Sequence, residues 1–242
     1  MVKKNERDNR RAIAEQMRKA QQRKERQRSL LILSGCVIVV LALLGSAVFV
    51  YVKDQRAESK AAGTSLANLG VSTSAAGCQE IKAENVDLKA QEDGTYHQQT
   101  GSTIDYPDAP PAFGYHWGNF LQGSEIRTFY TVQDRPEVER LVHSLEHGYT
   151  ILWYDETVKP GTDAYADVQA IADKFKTYFI AAPWEGSDGD AFPSGMHLTL
   201  THWTGPEKQQ GITQYCAAPS GAVVEKFTKD YLSDNAPEPG AV

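Results

Sequence analysis

Cysteine is scarce in this chain of 242 residues, which contains three: Cys36, Cys78 and Cys216. None of them lies close enough to another in sequence to give the usual spacing of a thiolate metal site. Cys36 lies in an apolar run, whereas Cys78 and Cys216 flank the part of the sequence with globular character. In an oxidising compartment such a pair most simply forms a disulfide. We therefore predict a bond between Cys78 and Cys216.

The sequence also lacks the signatures of common catalytic sites. It has no glycine-rich phosphate loop, no nucleophile elbow and no recognisable Ser-His-Asp order. Its carboxylates are numerous but scattered, and no two of them stand out as an acid and base pair. We therefore expect a domain that is not an enzyme.

Aromatic residues are missing from the N-terminal segment 1–29, which is strongly basic. Of the 25 Lys and Arg residues of the chain, eleven lie there with four of the 31 acidic residues. The rest of the chain consequently holds fourteen bases and 27 acids. Without aromatic side chains to stack on bases, this cytoplasmic tail favours a lipid bilayer as its partner and no nucleic acid.

An uncharged, apolar run over residues 30–52 follows the tail. As a helix rising about 1.5 Å per residue, it is long enough to cross a hydrocarbon core of roughly 30 Å. It is too long for a cleaved signal peptide. Because the positive charges concentrate before the run, the N-terminus should be cytoplasmic. We predict a single-pass protein of the plasma (cell) membrane with an extracytoplasmic C-terminal domain on the periplasmic side.

Composition sets the remaining boundaries. Residues 53–77 are rich in Ala, Ser, Thr and Gly and show no sustained apolar periodicity, which is typical of a flexible linker. A globular domain is expected over residues 78–233. A disordered C-terminal tail is expected over residues 234–242.

Helix and strand patterns alternate along the predicted domain. A first helix should begin at Asp134 or Arg135, end at Gly148 and bury an apolar stripe. Further helices are predicted over 162–176 and 220–232. Strands are predicted over 149–154, 178–182 and 197–203, the last with the alternation of a half-exposed strand. The expected fold class is α+β (or α/β), with one N-terminal transmembrane helix plus a small mixed sheet packed with helices. The apolar stripe of the first helix consists of Val138, Leu141, Val142 and Leu145.

The most informative motif is His-Ser-Leu-Glu-His-Gly at 143–148. His143 and His147 are four apart, so that both rings lie on one helix face within reach of one metal ion. At about 100° per residue they point away from the apolar stripe, whereas Glu146 falls off their direction. The aromatic, proline-rich loop 106–120, which carries His116, is the candidate to cover this face.

We therefore predict a metal site made of His116, His143 and His147, with Met196 as an additional candidate ligand. His197 and His202 are further candidates near a metal. A His-rich set joined by a thioether suits copper, and a set without one leaves zinc open. The alternative needs no metal: His147 caps the helix C-terminus while His143 hydrogen-bonds the covering loop.

The motif and its surroundings resemble a known family. The segment from Glu139 to Tyr149, followed by Trp153 and Tyr154, is similar to actinobacterial proteins grouped as domain of unknown function 3105. The resemblance covers roughly residues 78–232. His116 matches the end of the family's proline-rich segment, although Pro-Pro-Ala-Phe-Gly-Tyr-His stands here in place of the usual Pro-Pro-Thr-Ser-Gly-Pro-His type. The family architecture is a basic tail, one transmembrane helix and an exported domain.

The resemblance also implies a setting. Such proteins are similar to accessory subunits of the actinobacterial respiratory supercomplex of cytochrome bcc and cytochrome c oxidase. Two hypotheses follow. In the first, the chain is a non-catalytic accessory subunit that contributes an exported domain at the outer face of this supercomplex. In the second, it is a membrane-anchored extracytoplasmic copper- or zinc-binding domain that buffers or delivers metal.

Overall fold

The structure, a computed structural model, describes residues 63–87, 89, 96–205 and 208–240, together with the single residues 17, 18, 33 and 44. The chain divides into two units, Met1–Ala57 and Glu58–Val242, and the continuous described ranges belong to the second. Among the described residues, no helix has both the length and the apolar character needed to cross a membrane. The predicted basic tail 1–29 and transmembrane helix 30–52 fall almost wholly outside those residues.

A mixed sheet and three α-helices form the described part of the domain, in agreement with the predicted α+β class. The sheet has five described strands in the order β1-β7-β6-β4-β5. Strands β4 and β5 are parallel, and the other neighbours are antiparallel. A separate parallel pair joins β2 to β3. The strands are β1 Lys82–Asn85, β2 His97–Gln98, β3 His116–Trp117, β4 Thr150–Tyr154, β5 Phe179–Pro183, β6 Leu198–Thr204 and β7 Gln210–Cys216; the helices are α1 Val138–Glu146, α2 Asp163–Ala172 and α3 Gly221–Asp230.

Helices cover both faces of the sheet, which creates two apolar layers. Along β4, Ile151 and Trp153 pack with α1 on one face. Leu152 and Tyr154 pack with α2 and α3 on the other. Successive side chains of a strand point to opposite faces, so the short apolar run of β4 serves both layers. The strands and helices predicted within the domain are all present, with shifted ends.

The start of α1 differs from its prediction. The helix begins at Val138 rather than at Asp134 or Arg135. Asp134 Oδ1 instead accepts hydrogen bonds from the backbone N (2.6 Å) and the Oγ1 (2.9 Å) of Thr131. This side chain closes a turn, and the chain reaches helical geometry only after it.

The predicted half-exposure of β6 is wrong, because all seven of its residues are buried. β6 lies between two strands and beneath helices or loops on both faces. Two of its polar residues have buried side-chain partners: Thr201 Oγ1 accepts from Trp153 Nε1 at 2.9 Å. His202 Nδ1 lies 3.1 Å from Thr150 Oγ1. The polar positions of β6 therefore face the interior of the domain, where those of Thr201 and His202 are hydrogen-bonded.

Residues 63–77, which the sequence places in a flexible linker, pack against the domain. Val71 N donates to Pro219 O at 2.9 Å, just before α3. Leu69 and Ala76 are buried. Folded chain therefore precedes Cys78.

Cys78 and Cys216 form a disulfide, as the sequence predicts. The bond joins the residues before β1 to the last residue of β7. The two positions are 138 residues apart, so the disulfide closes a loop that contains all seven described strands.

Residues 234–240, predicted to be disordered, make specific contacts in the structure. Glu238 N donates to Glu146 O, the last residue of α1, at 3.0 Å. Gly148 turns the chain after α1 with φ +93°, and a Cβ atom there would lie 2.2 Å from Ser233 O. The C-terminal segment therefore lies directly on the end of α1.

Candidate metal centre

Helix α1 supplies two of four polar side chains that meet in the domain. His143 and Glu146 lie three positions apart and project from the same side of the helix. The opposite side of α1, which includes Leu141 and Leu145, packs on the sheet. His143 and Glu146 are 3% and 1% exposed. Another layer of chain therefore covers them.

The covering layer is the small parallel sheet of β2 and β3, in which His97 lies opposite His116. His116 is fully buried, whereas the His97 side chain is 41% exposed. The rings of His116 and His143 have centroids 4.5 Å apart. The loop 106–120 thus folds over the histidine side of α1, as the sequence predicts.

Three imidazole Nε2 atoms approach one carboxylate oxygen. Their distances from Glu146 Oε2 are 3.1 Å for His116, 3.2 Å for His97 and 3.8 Å for His143. All four candidate ligand atoms lie within 4.8 Å of one another. Ligands held about 2.0 to 2.1 Å from a tetrahedral ion are roughly 3.4 Å apart. The spacing therefore suits one metal ion after small adjustments, and we name these four residues the His3Glu cluster.

Backbone carbonyls hold the outer nitrogens of two of the rings. His116 Nδ1 donates to Gly114 O at 2.7 Å, and His143 Nδ1 donates to Trp117 O at 2.6 Å. A neutral imidazole with its proton on Nδ1 has a lone pair on Nε2, the arrangement of a metal-ligating histidine. His116 Nε2 has no aligned hydrogen-bond partner among the described residues. His116 Nε2 is therefore a buried acceptor without a donor, and it faces a second acceptor, the carboxylate of Glu146.

The electrostatics of the His3Glu cluster favour a cation. Burial, followed by the charge of neighbouring His116, lowers the pKa of His143 to about 3. Burial acts to raise the pKa of Glu146, but the imidazoles beside it, His116 first and then His97 and His143, outweigh burial and lower the pKa to about 2. At neutral pH a neutral His143 ring thus faces an ionised carboxylate. A metal ion between them replaces two opposed lone pairs with two ligand bonds.

A family model with the description "Protein of unknown function (DUF3105)" matches residues 97–242. The chain belongs to this family. No curated protein and no solved structure matches the chain. All four residues of the His3Glu cluster lie in the part matched to DUF3105, which begins at His97 itself, whereas Cys78 lies before it. The cluster is therefore built entirely from the DUF3105 part of the chain.

Of the predicted metal ligands, the structure brings three histidines of the DUF3105 part together. His116 and His143 belong to the His3Glu cluster. His147 is the C-cap of α1, and its ring centroid lies 4.8 Å from that of His143. Its Nδ1 donates to Glu238 O at 3.0 Å. The hydrogen bond from His143 to the covering loop, which the metal-free alternative also predicts, is therefore present.

The remaining candidates lie elsewhere. Met196 packs against the apolar layer on the α1 side of the sheet. His197 Nδ1 lies 2.8 Å from Asp155 Oδ2, and His202 pairs with Thr150. None of the three belongs to the His3Glu cluster.

Two members of the His3Glu cluster were missed from the sequence. The helix period places Glu146 off the direction of the histidine pair, yet Glu146 is only one helical turn from His143 and its side chain spans the difference. The spacing of three residues between His143 and Glu146 could have indicated that both side chains reach the same site. His97 carried no signal, because it stands alone in a segment without periodicity and reaches the site through its pairing with β3.

Proposed function

We propose that this DUF3105 chain is a membrane-anchored extracytoplasmic metal-binding domain, which holds Zn²⁺ or Cu²⁺ in the His3Glu cluster and buffers or delivers it. The observation that carries this proposal is the convergence of three imidazole Nε2 atoms, 3.1 to 3.8 Å away, on one buried carboxylate oxygen. Hydrogen bonds from Nδ1 to backbone carbonyls orient two of the rings for that role.

The ligand types narrow the choice of metal. The sequence-based preference for copper depended on a thioether from Met196, and the cluster has a carboxylate in its place. Imidazole nitrogen with one carboxylate oxygen suits Zn²⁺ and Cu²⁺, whereas Cu⁺ favours sulfur ligands. Because the binding site lacks sulfur, we expect a divalent ion.

The number of ligands supports storage or delivery over catalysis. Catalytic zinc sites keep one of four positions open for water or substrate, whereas four protein ligands close a tetrahedral site. His97 is the exposed ligand at 41%, and its displacement gives an incoming acceptor access to the ion. The expectation that the domain is not an enzyme remains a prediction.

Elemental analysis tests the proposal. We expect the full chain, purified in mild detergent without chelator or after reconstitution with Zn²⁺, to retain metal through gel filtration. His116→Gln should lower the retained metal at the His3Glu cluster by more than half. His197→Gln is the matched control, since His197 also contacts a carboxylate, 2.8 Å away, outside the cluster. Absence of metal from the reconstituted wild-type protein overturns the proposal and leaves the cluster as a polar clasp for the covering loop.

The predicted place in a respiratory supercomplex and the membrane orientation stay predictions. The same preparation addresses the first, because co-purifying haem proteins are visible by their absorbance. Protease added to intact spheroplasts addresses the second: removal of the domain supports an extracytoplasmic location, and full protection contradicts it.

A further inference from the structure

A second set of candidate ligands adjoins the His3Glu cluster. Glu146, His147 and Glu238 place their candidate ligand atoms within 4.8 Å of one another. Glu238 belongs to the C-terminal segment that lies on the end of α1. Two hydrogen bonds to backbone atoms of Glu238 fix that segment there: Glu238 N donates to Glu146 O, and the His147 ring donates from Nδ1 to Glu238 O, each at 3.0 Å. The set is therefore held by the fold and is not a chance meeting of exposed acids.

His147 provides the observation that points to a ligand. Its Nδ1 donates to a carbonyl, which leaves a lone pair on Nε2 of the neutral ring. The residue is only 4% exposed, and Nε2 finds no hydrogen-bond partner among the described residues. The Phe120 ring, with its centroid 4.8 Å from that of His147, shields it further. A buried acceptor without a donor costs free energy unless something binds it.

We propose that Glu146 bridges two divalent metal ions, the first in the His3Glu cluster and the second held with His147 and Glu238. This inference rests on the proposed function for its first ion. A carboxylate has two oxygens, and two-metal sites commonly place their ions about 3.5 to 4 Å apart. The rings of His143 and His147, whose centroids are 4.8 Å apart and whose planes are inclined by 29°, are placed to serve neighbouring ions.

Charge and ligand type should make the affinity for the second ion lower than the affinity for the first. The two carboxylates of the combined sets, Glu146 and Glu238, together balance the charge of one divalent ion. A second divalent ion therefore adds positive charge that neither carboxylate offsets. Glu238 is exposed, whereas Glu146 and His147 are buried. One nitrogen and two oxygens bind more weakly than three nitrogens and one oxygen in this class of ions. The second ion should therefore bind after the first, and it should fasten the C-terminal segment to α1.

Stoichiometry of Zn²⁺ binding tests the proposal. The full chain in detergent is stripped with chelator, dialysed and titrated with Zn²⁺ by calorimetry, with bound zinc counted by elemental analysis. We expect two ions in the wild-type protein, the second at least about tenfold weaker. Glu238→Gln and His147→Gln should each bind one. Asp234→Asn, which changes another exposed carboxylate of the same segment, should bind two.

Glu238→Gln is the decisive variant, because the side chain is exposed and its substitution should leave the folded structure intact. One ion in the wild-type protein, unchanged in Glu238→Gln and His147→Gln but lost in His116→Gln, overturns the second site and leaves the proposed function intact. Two ions in all variants except His116→Gln also overturn it. Absence of zinc from the wild-type protein overturns the proposed function, and the second site with it.

Discussion

The imidazole of His116 and the carboxylate of Glu146 are both shielded from solvent, and their Nε2 and Oε2 atoms lie 3.1 Å apart. Because His116 Nδ1 donates to Gly114 O, the ring can also donate to Glu146 only by becoming a cation. An ionised carboxylate with 1% exposure is costly to bury without positive charge beside it. Either an imidazolium or a metal ion supplies that charge, and the other two Nε2 atoms favour the metal.

Removing the charge of Glu146 while keeping its shape should weaken metal binding. We expect Glu146→Gln to lower the Zn²⁺ affinity of the full chain at least about tenfold, since even residues outside the ligand set change affinity by about ten- to a hundredfold. Competition with a chromophoric chelator measures this affinity. Glu139→Gln is the control, because Glu139 lies in α1 but outside the His3Glu cluster. Equal affinities of Glu146→Gln and wild type would contradict the assignment of Glu146 as a ligand.

The elements of this fold were predictable where a local pattern decides the structure. The stripe of Val138, Leu141 and Leu145 gives α1 its period, and the apolar run of β4 marks a buried strand. Strand β7 was missed because Gly211 and two glutamines interrupt any apolar pattern. Its strand geometry comes from pairing with β1 and β6, which no local signal encodes.

The candidate site was predictable only in its helical part. The direction of His143 and His147 follows from the helix period, and it indicated a covering segment. His97 and Glu238 reach the site from distant parts of the chain, through the pairing of β2 with β3 and through a backbone hydrogen bond of the C-terminal segment. Such long-range contacts depend on the complete fold, so that single-sequence reasoning could not find these two residues.

His202 should make the stability of the domain depend on pH. Burial lowers the pKa of His202 to about 4 from its ordinary 6.5. The unfolded chain therefore takes up the proton first as the pH falls. Stability is complete above about pH 6.5 and declines toward pH 4, by about 1.4 kcal/mol per pH unit. Between pH 7 and pH 5 the expected loss from this residue is about 2 kcal/mol.

Urea unfolding at the two pH values measures this effect. His143, with a folded pKa of about 3, changes the metal-free protein in the same direction. The comparison is therefore between metal-free wild type and metal-free His202→Gln. Both proteins contain His143, so its contribution cancels. We expect the variant to lose less stability than wild type between pH 7 and pH 5. Parallel losses would show that His202 does not titrate as its burial requires.

The disulfide between Cys78 and Cys216 should stabilise the domain by about 4 to 5 kcal/mol, because it closes a loop of 138 residues. The double variant Cys78→Ser with Cys216→Ser should lower the free energy of unfolding by about that amount in urea. Alkylation in denaturant, followed by mass measurement, verifies the bond. One labelled cysteine is expected without reductant, Cys36, and three with reductant. Three labelled cysteines without reductant would refute the pairing.

Gly148, which follows α1, should tolerate a side chain less well than Gly161 does. Its φ of +93° disfavours any side chain, and an added Cβ would lie 2.2 Å from Ser233 O. Gly161 has nearly the same φ, +91°, with no atom within 4 Å of a Cβ. Gly161→Ala should therefore report the backbone strain alone, about 1 kcal/mol. Gly148→Ala should cost about 3 kcal/mol, because overpacking adds to the strain.

The difference between these two variants isolates the contact with the C-terminal segment. If Ser233 retreats from the new methyl group, Glu238 moves with it, and His147 loses the carbonyl that orients its ring. Gly148→Ala should then be cleaved by protease within residues 233–240 faster than Gly161→Ala, in addition to unfolding at lower urea. Equal urea midpoints and equal cleavage in the two variants would mean that the C-terminal segment does not rest on the end of α1. The second metal ion would then have no fixed ligand from Glu238.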